Sequence, residues 1–148
     1  MLTLENKESF QPEIKDLMIS AEKVAHVQLG NTLEHALLVL TKSGYSAIPV
    51  LDPKYKLHGL ISSSLITDSL LGIERIEFEL LEKKKVEDAM KIDIATVTLQ
   101  TKFVKALSLV VDHPFLCVVD QEQNFEGILT RRSVLKVLNR FVHTGEFK

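Results

Sequence analysis

The chain has a single cysteine, Cys117, in 148 residues. It cannot close an internal disulfide, and no second thiol stands ready to join it in a zinc motif. An excess of charge of either sign is also missing. Eighteen Lys and Arg against 20 Asp and Glu leave a formal net charge of −2, which argues against a general nucleic-acid binder. No apolar run approaches the roughly 20 residues of a membrane span. The start, Met1 to Glu5, introduces acid early and has no signal-peptide pattern. A cytoplasmic setting is therefore expected. Catalytic motifs are missing as well: no Walker loop, no G-x-G-x-x-G and no G-x-S-x-G elbow. Among His26, His35, His58, His113 and His143 no pair has metal spacing on a helix face. Ser62-Ser63-Ser64 has no base beside it and reads as a helix start. Cys117 reads as a small core residue. The sequence thus predicts a protein that is not an enzyme and has no cofactor.

What the chain does have is a repeat. Asp16-Leu17-Met18 returns as Asp88-Ala89-Met90, and His26-Val27-Gln28-Leu29 returns as Thr96-Val97-Thr98-Leu99. Leu57-His58-Gly59-Leu60-Ile61-Ser62 returns as Phe125-Glu126-Gly127-Ile128-Leu129-Thr130. The offset falls from 72 to 70 to 68, so each step needs only a small deletion. Each half alone would bury too little surface to be comfortable, so the halves are expected to pack as one unit.

Each repeat reads strand, helix, strand, strand, helix, with a short helix in front. Pro12 suits the first turn of a helix through about Ile19, and Val86 to Met90 is its second copy. Strands follow at Val24–Val27 and Ile94–Val97, then Asn31 and Thr101 as helix caps. Leu33, Ala36, Leu37 and Leu40 form an apolar stripe that returns as Phe103, Ala106, Leu107 and Val110. Two hairpins come next. One joins Ala47–Leu51 to Leu57–Ile61, and the other joins Leu116–Val119 to Phe125–Leu129, with Asp, Pro and Asn in the turns. Closing helices start at Ser62 and Thr130. Their apolar faces are Leu65, Ile66 and Leu70, and Val134, Leu135, Leu138 and Phe141. Residues 72–85 read as a solvated helix plus linker, with Lys83-Lys84-Lys85 as surface charge. The domains are repeat 1 at 9–71, linker at 72–85 and repeat 2 at 86–143.

This β-α-β-β-α pattern, the D-x-M helix and the paired Gly59-Leu60-Ile61-Ser62 and Gly127-Ile128-Leu129-Thr130 resemble a tandem pair of CBS domains, a Bateman module. The resemblance runs from about Asp16 to Phe141. It implies an α/β (α+β) fold, two repeats related by a pseudo-two-fold axis, and adenine nucleotides bound in clefts between them. It implies one cleft built from Lys23, Val24, Ala25, Tyr45, Ser46, Ala47, Ile48 and Pro49 together with Thr130, Arg131, Arg132 and Ser133. The other cleft takes Asp93-Ile94-Ala95, Phe115-Leu116-Cys117-Val118 and Ser62-Ser63-Ser64-Leu65.

The first cleft is the better place for an anion. It has Lys23 where the other has Asp93, and Arg131-Arg132 where the other has Ser63-Ser64. Two of the chain's four arginines thus sit at one helix start, where backbone N–H groups and the dipole already favour negative charge. Guanidinium groups suit phosphate, although the pair could instead decorate an exposed helix. Tyr45 offers a face for stacking a purine. The family's acid three residues after the Ser or Thr is missing, since Leu65 and Ser133 stand there. In family members that acid pairs with a free ribose diol, which a 3′,5′-linked cyclic dinucleotide lacks. The chain therefore resembles the stand-alone cyclic di-AMP-binding CBS proteins of Gram-positive bacteria. That resemblance implies a homodimeric second-messenger receptor, with targets such as the (p)ppGpp synthetase/hydrolase and pyruvate carboxylase, and no nucleic-acid or membrane partner. An AMP/ATP sensor and a ligand-free adaptor remain the alternatives.

Overall fold

In the computed structural model of the chain, the structure describes residues 11–145. The elements in order are α1 (Ile14–Leu17), β1 (Ile19–Ser20), β2 (Val27–Gln28), α2 (Leu33–Ser43), β3 (Ala47–Leu51), β4 (Leu57–Ser62), α3 (Ser63–Leu70), β5 (Thr96–Val97), α4 (Phe103–Leu109), β6 (Phe115–Val119), β7 (Phe125–Thr130) and α5 (Arg131–Thr144). They fall into two units. One joins residues 11–23 to residues 95–145, and the other is Val24–Ile94.

The Val24–Ile94 unit holds a three-stranded sheet, β2-β3-β4. The β3–β4 hairpin is antiparallel and β2 lies parallel to β3. Helix α2 lays Leu33, Ala36 and Leu40 into the core beside Ile48, Val50, Ile61, Ile66 and Leu70. The other unit repeats this with β5, β6 and β7, and with Phe103, Ala106 and Val110 against Leu116, Val118, Leu129 and Val134. The two apolar stripes do what their spacing predicts.

Helix ends follow local chemistry. Ser62 and Thr130 cap α3 and α5 as expected, accepting from the Leu65 and Ser133 N–H groups, both at 3.1 Å. The expected caps Asn31 and Thr101 are corrected by one residue. Thr32 caps α2 by accepting from the His35 N–H, and Lys102 precedes α4 with no side-chain cap. Asn31 and Thr101 instead accept the N–H of Gln28 and of Thr98, fastening the turn before each helix.

Both hairpin turns are tied by an aspartate. Asp52 Oδ1 accepts from the Lys54 and Lys56 N–H groups, and Asp120 Oδ1 from those of Glu122 and Asn124. Each turn forces one non-glycine residue to positive φ, Tyr55 at 67° and Gln123 at 68°. Tyr55 meets the His26 ring edge-on at 5.2 Å, whereas Gln123 is exposed. Gln123→Gly is therefore expected to stabilise the protein by about 0.5–1 kcal/mol, because glycine adopts this conformation without the Cβ cost. Urea unfolding reads this directly, and Tyr55→Gly, which also loses the ring contact, should not share the gain.

Several expectations need correcting. The first short helix stops at Leu17, and Ile19–Ser20 becomes a strand that pairs antiparallel with Ile128 and Gly127 of β7. The second copy is a 3-10 turn, Val86–Asp88. Lys91 beyond it bridges Leu60 as Ile19 does Ile128. The first strands are shorter than expected, because Val24–His26 and Ile94–Ala95 lie outside them. The linker is no solvated helix. It holds only a 3-10 turn, Phe78–Leu81, and Ile76, Leu80 and Leu81 pack on the core. Lys84 Nζ donates to the Ser69 carbonyl at 2.7 Å, closing the last turn of α3. Leu135 is 46% exposed, and Val137 takes its place in the core.

Candidate ligand-binding site

The site residues expected from sequence lie on both units, and each group has its own geometry. In the Val24–Ile94 unit, Gly44 at φ 76° ends α2 in the left-handed region. The reversal delivers Tyr45, 37% exposed, to the start of β3. Its N–H donates to Ser43 Oγ. Ser46 is exposed and Ala47 half-buried. Ile48 is fully buried in the core and Val24 nearly so. Ile48 packs in the core of the sheet, and with both side chains buried it is their backbone that can meet a ligand. On its β2 side, β3 is paired only at Val50 and Leu51, so Ala47, Ile48 and Pro49 have no ladder partner there. Ala25 is half-buried, just ahead of β2.

In the other unit, Thr130 to Ser133 form the start of α5. Thr130 Oγ1 lies 2.9 Å from Ser133 Oγ as well as capping the helix. The two arginines part company here. Arg131 Nε donates to the Val110 carbonyl at 2.7 Å, at the end of α4. Its N–H donates to the Pro114 carbonyl at 2.8 Å. Arg131 is thus a cationic cap on the negative end of α4, a role the sequence reading missed. The Arg132 side chain is exposed and makes no hydrogen bond or ion pair among the described residues. Lys136 and Asn139 join Arg131, Arg132 and Leu135 in lining a groove of about 470 Å³. Helical spacing was the signal for Lys136, four residues after Arg132. The first turn of α5 has no acid to neutralise this charge. Lys23 ends a 3-10 turn, Ala21–Lys23, and is exposed. Beside it, the Glu22 carboxyl is held below its usual range by a backbone hydrogen bond and by the Ser20 hydroxyl, so it stays ionised next to that lysine.

The residues expected around the other cleft are built differently. Thr96 pairs with Cys117 in the β5–β6 ladder. Cys117 is 1% exposed, and burial pushes its thiol up to about 12. A neutral, enclosed thiol is a poor nucleophile. Iodoacetamide at pH 8 is expected to leave native Cys117 unmodified over a time in which denatured protein reacts fully. Rapid native labelling, read by intact mass, would contradict this burial. Among the described residues no group of three His, Cys, Asp or Glu could hold a metal ion. No helix among them is long and apolar enough to cross a membrane.

Comparison with known proteins places these features in a wider set. The CBS domain profile matches residues 14–72 and 86–140. Cyclic di-AMP receptor B of Bacillus subtilis (strain 168) is 50% identical over 144 residues, spanning 97% of this chain and 98% of that protein. The crystal structure of Listeria monocytogenes CbpB in complex with c-di-AMP is 62% identical, with a TM-score of 0.83 over 89% of this chain and 98% of that one. A CBS domain-containing protein from Bacillus anthracis is 65% identical, with a TM-score of 0.84 over 90% of this chain and 98% of that one.

Proposed function

The chain belongs to the CBS-domain family, and from that premise we propose that it is a non-enzymatic receptor for cyclic di-AMP. The observation that carries this reading is 50% identity across nearly the full length of both chains with a protein named for that function. The chemistry of each unit supports it. Arg132 and Lys136 offer exposed cations beside a helix N-terminus, suited to a phosphate. Lys23 adds a third cation. Arg131 contributes the part of its guanidinium not spent on the Val110 and Val111 carbonyls. Tyr45 supplies a ring face for the base, and the backbone at Ala25 and Ala47 supplies its hydrogen bonds. Val24, Ser46, Ile48 and Pro49 shape that edge. Ser133, where the family has an acid, removes a charge that would repel a second phosphate. It is engaged with Thr130.

Regulation then acts through partners. A ligand that binds one conformation better than another shifts the population able to meet a target. We place the protein in the cytoplasm as a homodimer, with target proteins such as the (p)ppGpp synthetase/hydrolase and pyruvate carboxylase. The test of the receptor reading is ligand selectivity. Cyclic di-AMP at a hundredfold excess over its Kd is expected to stabilise the fold by about 2.7 kcal/mol, seen as a raised melting temperature. AMP, ATP and cyclic di-GMP at the same concentration should leave it unchanged. A rise with AMP or ATP and none with cyclic di-AMP would make the protein a mononucleotide sensor instead.

A further inference from the structure

The parallel ladders of the two repeats are offset by one pair: the first reaches forward, with the Leu29 N–H donating to the Leu51 carbonyl, and the second reaches back. In the second, the parallel ladder pairs Thr96 with Cys117 and Val97 with Val118. The Cys117 N–H donates to the Ala95 carbonyl at 3.4 Å. In the first, the ladder pairs only Val27 with Val50 and Gln28 with Leu51. Val27–Val50 is the counterpart of Val97–Val118, so the counterpart of Thr96–Cys117 would be His26–Pro49. That pair does not form. Proline has no N–H to donate, and the Ala25 carbonyl accepts no backbone hydrogen bond among the described residues. The opening is one-sided, because Pro49 still pairs with Leu60 across the hairpin.

Ala25 is half-buried, and a carbonyl there with no backbone donor is an acceptor held ready for one. We propose that the missing donor at Pro49 decides which repeat reads the base. In the first repeat the Ala25 carbonyl is left to accept from the exocyclic amine of adenine. In the second, one lone pair of the Ala95 carbonyl is already engaged by the Cys117 N–H, so it competes less well for the same amine. Guanine would present a carbonyl oxygen to Ala25 in place of the amine, acceptor against acceptor, and so would hypoxanthine. The inference rests on the cyclic di-AMP reading above and adds its base-determining residue. Pro49 is a positioning residue, acting through the carbonyl it leaves free.

The test compares cyclic di-AMP with cyclic di-IMP, its hypoxanthine analogue, on the wild type and on Pro49→Ala. The wild type should bind cyclic di-AMP at least about tenfold more tightly, the weight of one well-made hydrogen bond. Pro49→Ala restores an N–H for the ladder, and the preference should shrink to about threefold or less. A folded Pro49→Ala protein that keeps the full preference would overturn the proposal while leaving the receptor reading intact. A wild type that binds neither dinucleotide would remove both. A second measurement needs no variant. With alanine carbonyls labelled with ¹³C, cyclic di-AMP should move the Ala25 resonance and leave Ala95 in place. Equal movement of the two would overturn the proposal even if Pro49→Ala fails to fold.

Discussion

Arg132→Ala is expected to weaken cyclic di-AMP binding by about tenfold to a hundredfold, the weight of a charge-assisted hydrogen bond to phosphate. It should leave the melting temperature of the free protein unchanged, because the Arg132 side chain is exposed and makes no hydrogen bond or ion pair among the described residues. Arg131→Ala should behave differently. Its guanidinium holds the Val110 carbonyl at the end of α4, so its loss should cost about 1–2 kcal/mol of stability as well as affinity. For a chain of this size that is a fall of roughly 3–6 °C in melting temperature. Calorimetric titration and thermal melts on the two variants separate the roles. Equal destabilisation by both would mean that Arg131 does not cap α4. Unchanged affinity in Arg132→Ala would remove the phosphate contact from the account.

The second large effect concerns folding. Gly127 has φ 155°, and a Cβ there would run into the Ile19 carbonyl oxygen where β1 crosses β7. Backbone cannot move aside as a flexible side chain can. Gly127→Ala should therefore destabilise the protein by about 3 kcal/mol or more, combining an unfavourable φ with steric overlap. Gly145→Ala is the control. Its φ of 76° is also unfavourable, but nothing lies within 4 Å of the added Cβ, so its cost should stay near 1 kcal/mol. Urea midpoints of the two variants measure the difference. Equal losses would mean that Ile19 does not lie across Gly127. Gly59→Ala should fall between them, since its Cβ would sit 2.6 Å from the Lys91 carbonyl oxygen.

The parts of the fold set by nearby residues were legible in the sequence. Ser62 and Thr130 are caps because a hydroxyl three residues before a free N–H closes a local ring. The Leu33 and Phe103 stripes are buried because 3.6-residue spacing puts them on one face. Pairings that join distant segments were not legible. Two residues, Ile19 and Ser20, carry no strand periodicity of their own. They become β1 only because Gly127, more than a hundred residues later, leaves room for them. The same holds for Lys91 at Gly59. Residues 72–85 have the charge of a solvated segment, yet Ile76, Leu80 and Leu81 find a core to cover. Leu135 and Val137 are equally apolar, and helix phase alone decided which one was buried.

The candidate site divides in the same way. Residue types named the cations and the aromatic ring. They could not say that Arg131 is partly spent on α4, because its acceptor lies 21 residues back at the end of another helix. Nor did the identity of Pro49 announce its effect. A proline in a strand was plain to see, but the open carbonyl at Ala25 became visible only beside the closed one at Ala95.

The most direct test of the receptor reading is calorimetric titration of the full chain with cyclic di-AMP, with AMP as the matched control. The account predicts saturable binding with one cyclic di-AMP per chain and no heat from AMP. Saturable AMP binding without cyclic di-AMP binding, or no heat from either, would contradict it.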